Sequence, residues 1–204
     1  MPTNVSSRVL RLIATIKATF AQRQPAGLGL ENVLSLLEPL PPMTGRFSRS
    51  SHAVTRHTGA VLKAGNESTA TLLEAVGPVI HFLPWRYSYP PRAGAGSLEH
   101  NIAFAEIIGP EAPFRSDSVC LGLTLIAPRT LYPSHRHPAI ETYYVVAGTA
   151  LWTLDGTSHV NPPGTHILHP SQAVHSMQTH AEPLLAIYSW SGPDVHTPSV
   201  YAEV

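Results

Sequence analysis

His135 and His137 stand two residues apart, and on an extended strand residues i and i+2 point to the same face because side chains alternate. Two imidazoles can then address one point in space. Glu141 and Tyr143 keep the same parity beyond Pro138, a residue that has no N–H for a ladder and is expected to bend the strand. The tract therefore predicts two imidazoles, a carboxylate and a phenol along one wall. Neutral imidazole with carboxylate suits one divalent transition metal (Zn, Fe, Mn, Co or Ni) rather than Ca or Mg, which prefer oxygen shells. A further ligand must come from another strand. His175, just after the turn Pro170-Ser171-Gln172, opens a short strand that can pair beside the first. The set His135, His137, Glu141 and His175 offers three nitrogens and one oxygen and leaves places on a six-coordinate ion for water or substrate. A single histidine in a strand is usually an ordinary polar side chain, and the chain has 12 of them. The conjunction of H-x-H, Glu141, the turn Gly148 and a histidine behind a proline turn is what argues for a metal.

These residues need a rigid frame. With 204 residues the chain is long enough for one well-packed core, and its formal charge of zero with 13% charged residues offers no basic stripe for nucleic acid. The single Cys120 cannot form an internal disulfide and, flanked by Val119 and Leu121, reads as a buried strand residue, so nothing points to an oxidising compartment. A cytoplasmic protein is expected.

Val5, Val9, Leu12, Ile13, Ile16 and Phe20 recur at helical spacing, predicting an amphipathic helix over 5–20 that is too interrupted to span a membrane. Its basic, acid-free composition also occurs in organelle transit peptides, but a helix lying on the core is the simpler reading. A second helix is expected over 29–40, stopped by Pro39 and Pro41-Pro42, and a short one over 67–76. Between them, 43–58 is polar and aperiodic, a connection or a lid over a site. Gly94 to Gly96 marks a loop into the β region.

From Asn101 onward short apolar runs alternate with turn residues, as an all-β barrel requires. Strands are expected over 102–108, 119–127, 131–136, 141–147, 149–154, 157–160, 166–168, 174–178 and 184–190. Asp155-Gly156 is a hairpin turn. The organisation is thus a helical segment, 1–82, lying on a β-barrel, 83–204. Trp85, Tyr87 and Tyr89 alternate and would share one face if extended, either on the barrel exterior or as a wall of the pocket; Tyr188 and Trp190 also share parity.

The spacing H-x-H-x3-E-x6-G resembles the first signature of the cupins, small β-barrels that hold a metal on three histidines and a glutamate. The second signature is matched less closely by Pro170 to Thr179, with Gln172 where glycine is usual and Thr179 in place of asparagine. His166 follows Gly164 too soon for that pattern. The resemblance implies a mainly β, jelly-roll-like double-stranded β-helix preceded by N-terminal α-helices, and often a homodimer. A cation next to Tyr143 would favour its phenolate, making it a base beside an electrophile. Together with P-W-R-Y-S-Y at 84–89 and Y-S-W at 188–190, the tract looks like the cupin-type dimethylsulfoniopropionate (DMSP) lyases of marine bacteria. That resemblance implies His135, His137, Glu141 and His175 as ligands, Tyr143 as the base that removes the α proton, and a carbon–sulfur lyase releasing dimethyl sulfide and acrylate. A sulfonium cannot accept or donate hydrogen bonds, so aromatic faces would hold it by cation–π contact. The candidates are Trp85, Tyr87, Tyr89, Trp152, Tyr188 and Trp190, with Tyr132 orienting the carboxylate or the base. A metal-dependent dioxygenase and a non-catalytic cupin binding a small carboxylate or sugar are the competing expectations.

Overall fold

The computed structural model describes residues 3–22, 27–89 and 98–202. Among the described residues are five α-helices: α1 (Thr3–Gln22), α2 (Leu30–Leu36), α3 (Thr58–Val61), α4 (Ala70–Val76) and α5 (Leu98–Asn101). The strands are β1 (Trp85–Arg86), β2 (Ile102–Gly109), β3 (Phe114–Arg115), β4 (Cys120–Ile126), β5 (Leu131–Arg136), β6 (Ile140–Ala147), β7 (Ala150–Leu154), β8 (Thr157–Asn161), β9 (His166–His169), β10 (His175–Thr179), β11 (Leu184–Ser191) and β12 (Val200–Tyr201). They form two sheets, ordered β1-β2-β4-β11-β6-β9, with β3 beside β2, and β12-β5-β10-β7-β8. Consecutive strands β5 and β6 lie in different sheets, as do β9 and β10. This alternation between facing sheets is the double-stranded β-helix of a cupin barrel, preceded by helices.

The first sheet is buried on both faces, and period-two alternation sorts its residues into two cores. Leu121, Leu123, Leu125, Tyr144, Val146, Leu185 and Ile187 point outward and join a core with the helices. Tyr143, Val145, Ala186 and Tyr188 point inward, into the core between the sheets. The helices therefore supply the apolar cover that the outer face of this sheet needs. Val9, Leu12, Ile13, Ile16 and Phe20 of α1 are all buried there, each contributing about 1.5–3 kcal/mol.

The expected elements appear with shifted ends. The second helix stops at Leu36 rather than reaching Leu40, because a residue before proline is driven out of helical conformation. The segment 67–76 begins as a tight 3-10 turn, Glu67–Thr69, closed by a capping box on Asn66, before continuing as α4. The segment 43–58, expected as a connection or a lid, makes defined contacts with the body. Thr44 and Gly45 donate to the Pro113 carbonyl, Val54 is fully buried, and Arg56 donates to Asn101, so this connection is fastened to the body. The loop expected at 94–96 lies outside the described residues. β3 and β12, two residues each, are additions that no periodicity could signal.

The turn after β6 needs a glycine. Gly148 has φ 76°, and a Cβ there would collide with the Pro183 carbonyl oxygen. Gly148→Ala should lower stability by at least about 1–2 kcal/mol, read as a lower midpoint in urea with an unchanged m-value; an unchanged midpoint would show that the turn relaxes freely.

Candidate metal centre and aromatic cavity

Pro138 does more than bend a strand. β5 ends at Arg136 and β6 begins at Ile140 in the other sheet, so His137 and Glu141 meet from opposite walls. The single continuous wall read from parity is thus corrected. His175 opens β10 and is the direct cross-strand partner of His135 on β5. The turn before it works without glycine: Gln172 adopts φ 65°, the left-handed conformation for which glycine is usual, and its N–H donates to the His137 carbonyl at 2.9 Å. That bond ties the second motif to the first.

His135, His137, Glu141 and His175 are all buried. A backbone carbonyl can only accept, so the ring nitrogen facing one must carry the proton. His135 Nδ1 donates to Pro133 O at 2.8 Å, His137 Nδ1 to Ala139 O at 3.0 Å, and His175 Nδ1 to Ala173 O at 2.9 Å. In the neutral rings every Nε2 then carries a lone pair. His137 Nε2 and His175 Nε2 lie 3.2 and 3.4 Å from Glu141 Oε2. His175 Nε2 makes no hydrogen bond despite its burial. Among the described residues, His137, Glu141 and His175 form the buried group whose atoms could hold a metal ion, and the His135 ring centroid lies 4.0 Å from that of His175. Lone pairs facing a carboxylate oxygen repel unless a cation or a proton lies between them, so this donor set fits a metal.

The electrostatics of these side chains agree. Burial, reinforced by the neighbouring His175, holds His135 well below its ordinary value and therefore neutral. Burial acts on His137 in the same direction, but the Glu141 charge and hydrogen bond outweigh it and raise it above its ordinary value. Burial would raise Glu141, yet the surrounding His137, His169 and His175 hold its carboxyl well below the usual carboxylate range.

Two further side chains hold Glu141. Trp190 Nε1 donates to Oε1 at 2.8 Å, and His169 Nδ1 meets Oε2 at 2.9 Å. Sequence reasoning missed His169. It is fully buried, stacks on His175 with centroids 3.8 Å apart, and faces Glu141 across the β6–β9 ladder. Burial pushes it down to about 4. Its position just before Pro170 carries no ligand spacing, and only the strand pairing brings it to Glu141. His166, by contrast, packs against Tyr144 and Phe20 on the helical side.

A cavity opens beside this group, lined by His135, Glu141, Tyr143 and the aromatic side chains Tyr89, Tyr132, Tyr188 and Trp190. Tyr132 stacks on His135 at 4.0 Å and is hydrogen-bonded to Tyr89 through the hydroxyls. The Tyr143 hydroxyl is held well above its ordinary value by burial and then by the Glu141 charge. Glu106 and Arg86, with charged groups 3.5 Å apart, also line the cavity, and an isolated acid in a strand had no sequence signal. Three expected aromatics are not among the lining residues. Trp85 is buried in the core shared with the helices, donating to Ile80 O at 2.6 Å, because only Trp85–Arg86 pair as a strand and the alternation is not sustained. Tyr87 turns its hydroxyl to Tyr201 at 2.7 Å, and Trp152 donates to His169 Nε2 at 3.1 Å.

The fold and this group define a cupin with a candidate metal centre. The family model for DMSP lyases matches residues 30–186, and the chain belongs to that family. DMSP lyase DddQ of Ruegeria pomeroyi is 29% identical over 195 residues, covering 93% of this chain and 91% of its own. Putative DMSP lyase DddL of Cereibacter sphaeroides is 34% identical over 146 residues, covering 69% of this chain and 60% of its own. The crystal structure of Ruegeria pomeroyi DddQ superposes with a TM-score of 0.82 at 25% identity, covering 96% of each chain. No helix among the described residues is long and apolar enough to cross a membrane.

An ion entering the group must displace the proton that the raised His137 binds in the metal-free protein. Apparent Co(II) affinity should therefore rise with pH and level off above the raised His137 value. Competition titration from about pH 6 to about 9 checks this, and a flat profile would contradict the assignment.

Proposed function

We propose that this chain cleaves DMSP to dimethyl sulfide and acrylate by β-elimination, with one divalent transition-metal ion held by His135, His137, Glu141 and His175. The observation that carries the reading is a buried group of His137, Glu141 and His175, with the His135 ring packed on that of His175 and each imidazole's proton fixed on Nδ1, at the wall of a tyrosine-lined cavity. Membership of the DMSP lyase family and the likeness to DddQ support it.

Bound there, a divalent ion supplies a site for the substrate carboxylate, stabilises charge building at the α carbon, and favours the ionised form of a neighbouring phenol. Tyr143 lies two residues along β6 from Glu141 on the inward face and is the base we assign. As the phenolate that a bound cation would favour, its oxygen takes the α proton, the C–H electron pair becomes the Cα–Cβ double bond, and the Cβ–S bond breaks. Its electrons leave with neutral dimethyl sulfide. Burial of Tyr143 keeps water from competing for that oxygen. Tyr89, Tyr132, Tyr188 and Trp190 present the aromatic surface a sulfonium needs, at about 0.5–2 kcal/mol per cation–π contact. Trp190 also anchors Glu141, so its indole serves both ends of the site.

Purified protein incubated anaerobically with DMSP should release dimethyl sulfide into the headspace. Tyr143→Phe should lower that rate at least about 100-fold while leaving metal content unchanged. A requirement for oxygen would favour a dioxygenase, and a fully active Tyr143→Phe protein would remove Tyr143 as the base.

A further inference from the structure

We infer that His169 is a positioning residue that aims the Glu141 carboxylate at the metal, with Trp152 selecting the tautomer that lets it do so. This rests on the metal reading above and concerns a residue outside the four ligands.

The argument is one of donors and acceptors. An indole N–H can only donate, and Trp152 Nε1 lies 3.1 Å from His169 Nε2. That nitrogen must therefore be the lone pair, which leaves the proton on Nδ1. His169 Nδ1 lies 2.9 Å from Glu141 Oε2, so it donates there. With one nitrogen accepting from Trp152 and the other donating to Glu141, His169 has no lone pair left for an ion. It differs in this from His135, His137 and His175, whose Nδ1 protons go to backbone carbonyls.

The effect on Glu141 is specific. Oε1 accepts from Trp190 at 2.8 Å and Oε2 from His169, so each oxygen is held by an N–H from outside the four ligands and the carboxylate cannot rotate without breaking both. One lone pair of Oε2 remains for the point that it shares with His137 and His175. The ring of His169 stacks on that of His175, and Trp152 packs edge-on against Tyr143 with centroids 5.3 Å apart. The same two side chains thus brace one ligand, the carboxylate, and the proposed base. Outer partners of this kind typically change metal affinity by about 10- to 100-fold when removed.

The test uses Co(II) alone as the probe, read by competition affinity and by its visible absorption spectrum. His169→Phe keeps the ring stacking and loses the donor. His169→Asn keeps an N–H at the position of Nδ1. Trp152→Phe keeps the packing and frees the tautomer. We expect His169→Phe to weaken Co(II) binding about 10- to 100-fold and His169→Asn to recover most of it. Trp152→Phe should fall between, and the Co(II) spectrum should keep the wild-type ligand number throughout. If His169→Phe does not fold, the contrast between His169→Asn and Trp152→Phe decides. Wild-type affinity in His169→Phe or Trp152→Phe, an Asn variant as weak as the Phe variant, or a spectrum that loses one nitrogen ligand would overturn the inference. Failure of the wild-type protein to bind Co(II) would strike the metal reading itself, a result distinct from any of these.

Discussion

A buried carboxylate surrounded by imidazole lone pairs is tolerable only with positive charge among them, and the rest of the molecule is arranged to keep that group in place. Stripping one partner from a buried charged cluster typically costs about 3–5 kcal/mol, because the remaining charge stays desolvated. The protein fixes the geometry from outside. Three backbone carbonyls, Pro133, Ala139 and Ala173, each lie two residues from the histidine whose proton they take. The strand crossing at Pro138 sets the histidines and Glu141 on facing sheets, and the Gln172 N–H joins the second motif to His137.

The two faces of one sheet then divide the work. Inward residues of β6 and β11 carry the carboxylate, the proposed base and the Tyr188 and Trp190 part of the aromatic lining, while outward residues of the same strands carry Leu, Ile and Val for the helices to cover. The helical layer and the barrel share a continuous core, which explains why the site strands can be buried on both sides yet bear polar groups on one. Rigidity at the site follows from that packing, since a strand held on both faces cannot shift one side chain without moving its neighbours.

Most of the fold was legible because its signals are local. The apolar spacing of α1, the turn at Asp155-Gly156 and the run of short strands follow from periodicity and turn chemistry alone, and the structure moves their ends by a few residues. The four residues proposed as ligands were legible for the same reason: their spacing lies within two short tracts. What escaped was set by pairing between distant strands. His169 meets Glu141 only because β9 lies beside β6, and Trp152 meets His169 from the opposite sheet. Trp85 alternates with Tyr87 and Tyr89 in the sequence, but the strand ends after Arg86, so parity stopped being informative one residue before Tyr87. Glu106 had no local partner to mark it.

The claim on which everything else depends is the convergence of His135, His137, Glu141 and His175 on one ion. X-ray absorption at the metal edge of protein loaded with one equivalent of zinc or cobalt measures it directly. The account predicts three imidazole nitrogens and a carboxylate oxygen at about 2.0–2.2 Å, and a shell with at most one imidazole, or one of water alone, would contradict it.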